Sequence, residues 1–198
     1  MSYDAGLEGP FAGVDAVGRG AVAGPVVACA LILPEGHKIE GVRDSKKLSQ
    51  KRRAVFEKKI MEAAVCYAFG VVDAGEIDET NILVSTLKAM SIAIRELKTS
   101  PKTVIVDGIH APECDYPIVC LKNGDSLSQT VACASILAKE FRDRMMMEFC
   151  EDFPEYGFFT HMGYGTKKHF KAISKHGLCP LHRKTFLRKY ANLQTDRH

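Results

Sequence analysis

The sequence predicts an α/β domain whose mixed central sheet carries helices on its faces. Three observations predict it. Apolar runs of strand length alternate with longer stretches of helical period, in the order β-β-(α)-β-α-β-β-α-α. Two of the strand-like runs end in an aspartate close to glycine, at Val14-Asp15 and at Val106-Asp107-Gly108. The chain has 198 residues, 46% hydrophobic and 26% charged, the balance of one ordinary globular domain.

The first strand is short and stops in charge, because Asp15 follows Val14 directly. Gly18-Arg19-Gly20 then makes a turn, and Ala21 to Leu33 is a nearly unbroken apolar run, which reads as a buried strand. Pro34-Glu35-Gly36 marks the next turn. Asp44-Ser45-Lys46-Lys47-Leu48 leads into a helix with Ser49 as its N-cap and Phe56, Ile60 and Ala63 on one face. Cys66 to Val72 reads as a strand. Glu76 to Leu97 is helical with a break near Thr80, and Leu83, Leu87, Met90, Ile94 and Leu97 form a core-facing stripe. Thr103 to Gly108 and Pro117 to Leu121 are strands.

Asn123-Gly124-Asp125-Ser126 opens a long helix. Ser126 and Gln129 have the spacing of a capping box, and Leu127, Val131, Ala134, Ala138, Phe141 and Met145 are expected to face inward as far as Phe149. Pro154 to Gly165 is loop-like and aromatic, and Thr166 to Gly177 bounds a last regular helix. The expected organisation is a single domain over 1–198, with a core over about 10–150 and a basic helical extension over about 161–198.

Composition excludes several classes. No run is long and apolar enough for a membrane span, and Met1-Ser2-Tyr3-Asp4 is not a signal sequence. The seven cysteines are odd in number and include no C-x-x-C pair, so reduced thiols in a cytoplasmic protein are expected rather than disulfides or zinc. The net charge of +3 is unevenly placed. From His161 onward nine Lys or Arg face one acid, while the remainder is net acidic. An acidic body with a basic end suits a metal site beside a polyanion-binding surface, or simply a solvated terminal helix.

Asp15, Asp107 and Asp125 each lie at a strand end or a helix start, close to glycine. Strand ends on one edge of an α/β sheet converge, and ligands bind there. Converging carboxylates repel unless cations lie between them, and hard oxygen donors select Mg²⁺ or Mn²⁺. Two such ions can activate water and stabilise a leaving oxygen in phosphodiester hydrolysis. Gly18, Arg19 and Gly20 add a backbone that a ligand can approach closely and a guanidinium suited to phosphate. Read alone, that stretch fits a hairpin turn with a surface aspartate equally well.

Taken together, the motifs resemble the ribonuclease HII family over nearly the whole chain. The resemblance rests on Gly18-Arg19-Gly20, Ala23-Gly24-Pro25-Val26-Val27, Asp44-Ser45-Lys46-Lys47-Leu48, Glu76-Ile77-Asp78-Glu79 with Asn81-Ile82-Leu83, and Val106-Asp107-Gly108. It continues through Gly124-Asp125, Ala134-Ser135-Ile136-Leu137-Ala138-Lys139 with Arg142-Asp143, Gly163-Tyr164-Gly165-Thr166 and Pro180-Leu181-His182-Arg183. It implies an RNase H-like fold and a metal-dependent endonuclease. The substrates it implies are RNA–DNA hybrids and duplex DNA with embedded ribonucleotides, cut on the RNA strand and 5′ to a single ribonucleotide. A monomer is expected.

By resemblance, Asp15, Asp107 and Asp125 are three of four metal-binding carboxylates, served by two Mg²⁺ or Mn²⁺ ions. Gly18, Arg19 and Gly20 contact the ribonucleotide, and Tyr164 stacks on the sugar at the RNA–DNA junction. Both can sense the 2′-OH, which distinguishes RNA from DNA. Lys46, Lys167, Lys168 and Arg183 are candidates for backbone phosphates, with a solvated surface as the rival reading. His169 and His182 read as structural hydrogen-bonders. The chain departs from the family at one place. The family has Asp-Glu in its first motif, and here Ala16 follows Asp15. The fourth carboxylate is missing, so the resemblance implies either an impaired enzyme or a non-catalytic hybrid-binding homologue. Ribonuclease HIII is a weaker resemblance, since that family usually carries an extra N-terminal domain.

Overall fold

The structure is a computed structural model and describes residues 3–42 and 49–188. Five strands form one sheet: β1 (Phe11–Val17), β2 (Val26–Ile32), β3 (Cys66–Val72), β4 (Thr103–Asp107) and β5 (Ile118–Leu121). Their order is β3-β2-β1-β4-β5. β1 pairs antiparallel with β2, and β2 antiparallel with β3, while β4 lies parallel to both β1 and β5. This is the mixed sheet the sequence predicts. Seven helices accompany it: α1 (Gln50–Ala63), α2 (Ala74–Glu79), α3 (Ile82–Arg95), α4 (Gly124–Leu127), α5 (Gln129–Asp152), α6 (Phe158–His161) and α7 (Lys167–His176). A further helical turn spans 184–188.

The sheet is buried on both sides, which explains why β2 reads as a continuous apolar run rather than an alternating one. On one face Ala12, Val14, Ala28, Ala30, Val104 and Val106 pack against Ala89, Met90, Ala93 and Ile94 of α3. On the other, Cys29 and Leu31 meet Phe56 and Ile60 of α1 and Ala132 to Ala138 of α5. Close approach is possible because glycines stand under the helices. A Cβ on Gly13 would come within 2.6 Å of the backbone at Thr130 and Val131.

Two helix expectations need correction. Asn123 adopts a left-handed backbone, φ 60°, and starts a separate turn, α4, that holds Asp125 and Ser126. The long helix begins afterwards, and its cap is Ser128, whose hydroxyl accepts from the Val131 amide at 3.2 Å. Gln129 therefore makes no capping box. Its side chain instead accepts from the Ile39 amide at 3.0 Å and donates to the His37 carbonyl at 2.9 Å. Leu127 consequently points outward at 45% exposure, and Met146, not Met145, is fully buried. The break of the preceding helix near Thr80 is observed, with Asn81 capping α3 through the amides of Leu83 and Val84. The apolar run that begins at Ala21 becomes strand only from Val26, because residues 21–24 pair with the distant segments 163–164 and 181–183.

The segment beyond Tyr164 is held against the body by side chains. Asp78 of α2 accepts from the amides of Lys184 and Thr185, at 2.6 and 3.0 Å. Cysteines in the described residues are all free thiols. No helix among the described residues is long and apolar enough to cross a membrane.

Candidate active site

Asp15 lies near the end of β1, where Val14 pairs with Val106 of β4. Side chains alternate along a strand, so Asp15 leaves the sheet on the α5 face, and Asp107, at the end of β4, leaves on the same face. Asp15 is 6% exposed and Asp125 5%. Burial above all raises the Asp15 carboxyl from its ordinary 3.8 to about 7. The charges of Asp107 and Asp125 raise it further, while a hydrogen bond with Ser135 of α5 and the Ala16 amide, at 2.7 Å, work against the rise. Asp107 Oδ1 accepts from the Gly124 amide at 2.7 Å, which ties the end of β4 to the turn carrying Asp125.

A cavity of about 460 Å³ opens over Asp15 and Asp107, while Asp125 is not among the residues that line it. Asp15, Ala16, Asp107, Gly18, Arg19, Gly20 and Tyr164 all line it. Ala16 stays in register opposite Ala28, so its Cβ leaves the strand on the α3 side, opposite to Asp15. It still lines the cavity because β4 stops at Asp107 and the space wraps around the strand end.

Among the described residues, no three His, Cys, Asp or Glu side chains stand together as a ready metal cage. The donor set nonetheless suits a hard cation. Mg²⁺ keeps several waters and is usually held by one or two carboxylates plus substrate phosphates. Asp15 and Asp107 on one cavity wall fit that requirement, and a carboxyl raised to about 7 by burial and by like charge is one that a cation would return to its ionised form.

The glycine turn and Tyr164 are fastened to each other. The amides of Val22 and Ala23 donate to the Gly163 carbonyl at 2.9 and 3.1 Å, and Ala21 bridges Tyr164. Gly18 has φ 84°, and a Cβ there would stand 2.3 Å from Arg142 Nε. Gly20 differs: it is exposed, and an added Cβ would meet nothing within 4 Å. Among the described residues nothing demands a glycine there.

Other expected binding residues divide. Arg19 is exposed, and Lys167 and Lys168 are exposed in the first turn of α7, where Thr166 accepts from the His169 amide at 3.2 Å. Lys46 lies outside the described residues. Arg183 is a correction. It has no exposed surface, and its guanidinium donates twice to the Gly24 carbonyl, at 2.9 and 2.8 Å, and once to Arg19 O at 3.2 Å. It therefore supports the glycine turn from behind and has no face to offer a phosphate. Burial chiefly, then the nearby Arg142 charge, lowers it to about 9. His169 and His182 are buried and hydrogen-bonded to each other, in keeping with their expected structural role.

Three contributors were not singled out from the sequence. Ser135 reaches Asp15, and Arg53 and Lys139 line the same cavity. Arg53 is held by Glu140 at 2.5 Å and Lys139 by Asp143. For Ser135 the available signal was a polar residue at a buried position of α5, whereas Arg53 lies on α1 and Lys139 is half-buried, so neither carried that signal.

The family described as Ribonuclease HII matches residues 12–190. A ribonuclease HII from Ruminiclostridium cellulolyticum is 46% identical over 180 residues, covering 91% of this chain and 71% of that protein. One from Geobacter metallireducens is 49% identical over 175 residues, covering 88% and 82%. The crystal structure of ribonuclease H2 from Pyrococcus horikoshii OT3 superimposes with a TM-score of 0.78 at 25% identity, covering 96% of this chain and all of that one.

Proposed function

The chain belongs to the ribonuclease HII family, and from that premise we propose that it is a metal-dependent endoribonuclease acting on RNA–DNA hybrids and on duplex DNA with embedded ribonucleotides. The cut falls on the RNA strand, and 5′ to the ribonucleotide where only one is present. The observation that carries this reading is the sharing of one cavity by Asp15, Asp107, the Gly18–Gly20 turn and Tyr164. Carboxylates that need a cation and a turn that invites close approach are what a phosphodiester hydrolase selective for a 2′-OH requires.

Each residue has a task. Asp15, Asp107 and Asp125 would hold Mg²⁺ or Mn²⁺, two ions in the full arrangement. The bound metal supplies Lewis acidity and a more acidic water. Ser135 orients the Asp15 carboxylate. The backbone of Gly18 to Gly20 tests the 2′-OH, and Tyr164 stacks on the sugar beside it. Arg19, Lys167 and Lys168 meet phosphates, whose charge supplies most of the affinity. The chain works as a single domain and as a monomer.

Ala16 supplies no oxygen where the resemblance calls for a carboxylate, and we propose that this lowers the rate. It also motivates the second reading, a homologue that binds hybrids without cutting them. A duplex with one labelled ribonucleotide, incubated with Mg²⁺, Mn²⁺ or a chelator, separates the two. The enzyme reading requires a metal-dependent cut 5′ to the ribonucleotide that disappears in Asp107→Asn. Tight binding with no cut in either metal, at any enzyme concentration, would favour the second reading.

A further inference from the structure

We propose that Arg142 is the positioning residue that sets Tyr164 and the glycine turn as one ribonucleotide reader. Arg142 comes from the middle of α5 and has no exposed surface. Its guanidinium donates from Nε to Pro25 O at 2.8 Å, from Nη2 to Ala23 O at 3.1 Å and from Nη1 to Met162 O at 2.9 Å. The first two carbonyls lie five and three residues after Gly20, in the segment that leaves the glycine turn, and the third lies two residues before Tyr164. The same guanidinium carbon stands 5.5 Å from the centre of the Tyr164 ring, within reach of a cation–π contact. A Cβ on Gly18 would collide with it, so the turn is moulded onto this side chain.

Three features separate this from ordinary core packing. A buried charge is costly unless fully hydrogen-bonded, and an apolar side chain would fill the space without that cost. The acceptors bonded to this fork are carbonyls that flank the glycine turn and Tyr164, and a planar, rigid fork can fix two backbones at a set separation where a lysine cannot. The charge also lies against a ring that is itself partly exposed at the cavity. The inference rests on the functional reading above and deepens it: sugar discrimination is a property of this joint, not of Tyr164 alone.

The test is binding by the full chain of two duplexes of one sequence, all-DNA and with a single ribonucleotide, with cleavage followed in the same samples. Arg142→Lys keeps the charge and loses the fork. Its preference for the ribonucleotide duplex should fall about tenfold, within the worth of a single stacking contact. All-DNA affinity and its salt dependence should stay unchanged, which a general loss of structure would not allow. Because Arg142 also holds the glycine turn, the Arg142→Lys/Tyr164→Ala double variant should lose less discrimination than the two single losses added together. Undiminished preference in Arg142→Lys, or losses that add in the double variant, would overturn the inference.

A parent chain with no preference at all would overturn the functional reading first, and this inference with it. Should Arg142→Lys fail to fold, nitrogen-15 spectra of the unaltered chain decide. The Arg142 Nε–H resonance should shift on binding the ribonucleotide duplex and not on binding the all-DNA duplex. Equal shifts would overturn the inference.

Discussion

His182 donates a hydrogen bond from Nε2 to Nε2 of His169 across 3.1 Å, and the direction follows from the neighbours. His169 Nδ1 stands 3.0 Å from the Tyr164 carbonyl, which can only accept, so Nδ1 carries the proton. The neutral ring then has a bare Nε2, and the proton between the rings belongs to His182. The bare His182 Nδ1 accepts from the Cys179 amide at 2.9 Å. One polarised chain thus runs from Cys179 through two imidazoles to the backbone of Tyr164. A second proton on His169 would set two donors against each other.

That chain should make stability fall in mild acid. Burial first, then the charges of His161 and His182, hold His169 at about 4, below its ordinary 6.5, against the pull of the Tyr164 carbonyl. The folded state resists protonation more than the unfolded one. The contribution is therefore complete above about pH 6.5 and is lost as pH falls towards 4. Thermal melting of the parent and of His169→Gln should show a shallower decline for the variant across that window. Parallel curves would contradict the assignment.

Asp15 should act in the opposite sense. Its carboxyl, raised from 3.8 to about 7, favours folding at low pH and disfavours it as pH rises through 7 when metal is absent. Metal-free Asp15→Asn should melt above the parent at pH values over 7, with the gap closing towards 4. Added Mn²⁺ should raise the parent's melting point and leave the variant's nearly unchanged. A parent indifferent to Mn²⁺ would argue against Asp15 as a metal ligand.

Tyr164→Ala should harm recognition of a ribonucleotide more than general binding. A stacked ring of this kind contributes about 1–3 kcal/mol. The loss should appear with a single-ribonucleotide duplex and be absent with all-DNA duplex of the same sequence. Equal loss on both would assign Tyr164 to the core.

Affinity for nucleic acid should decline steeply with salt. Each phosphate contact contributes about 0.9 to the slope of log K against log salt on a duplex. Lys168→Ala, altering an exposed residue at the start of α7, should reduce that slope by about 1. Titrations at several salt concentrations would read it, and an unchanged slope would return Lys168 to the solvated surface.

The sheet was legible because its strands carry their own boundaries. Cys66–Val72 agrees residue for residue with the sequence reading and Thr103–Asp107 falls one residue short of it, each being an apolar run cut off by a polar residue or a turn. Asp15 and Asp107 were conspicuous because an aspartate at the end of an apolar strand violates the pattern around it, and both line one cavity. What escaped depends on tertiary placement. A basic residue near a basic terminus looks solvated, so Arg183 read as a phosphate contact although the pairing of 181–183 with 22–24 buries it. The joint at Ser128 escaped because Ser126 and Ser128 both make plausible caps. A left-handed Asn123 decides between them, and its backbone angle is not written in local propensity.

The most direct measurement is the cleavage rate of this chain against its Ala16→Glu form, on one single-ribonucleotide duplex at saturating Mn²⁺, with melting recorded for both. Residue 16 lines the cavity with Asp15 and Asp107 while its Cβ leaves the opposite side of the strand, so a longer carboxylate must reach round the strand end. The expected result is a gain on the order of 100-fold or more, about 3 kcal/mol of barrier, with little change in melting. Equal rates would mean that residue 16 is no catalytic ligand, and an inactive Ala16→Glu form that still folds would contradict the account of this cavity as a nuclease site.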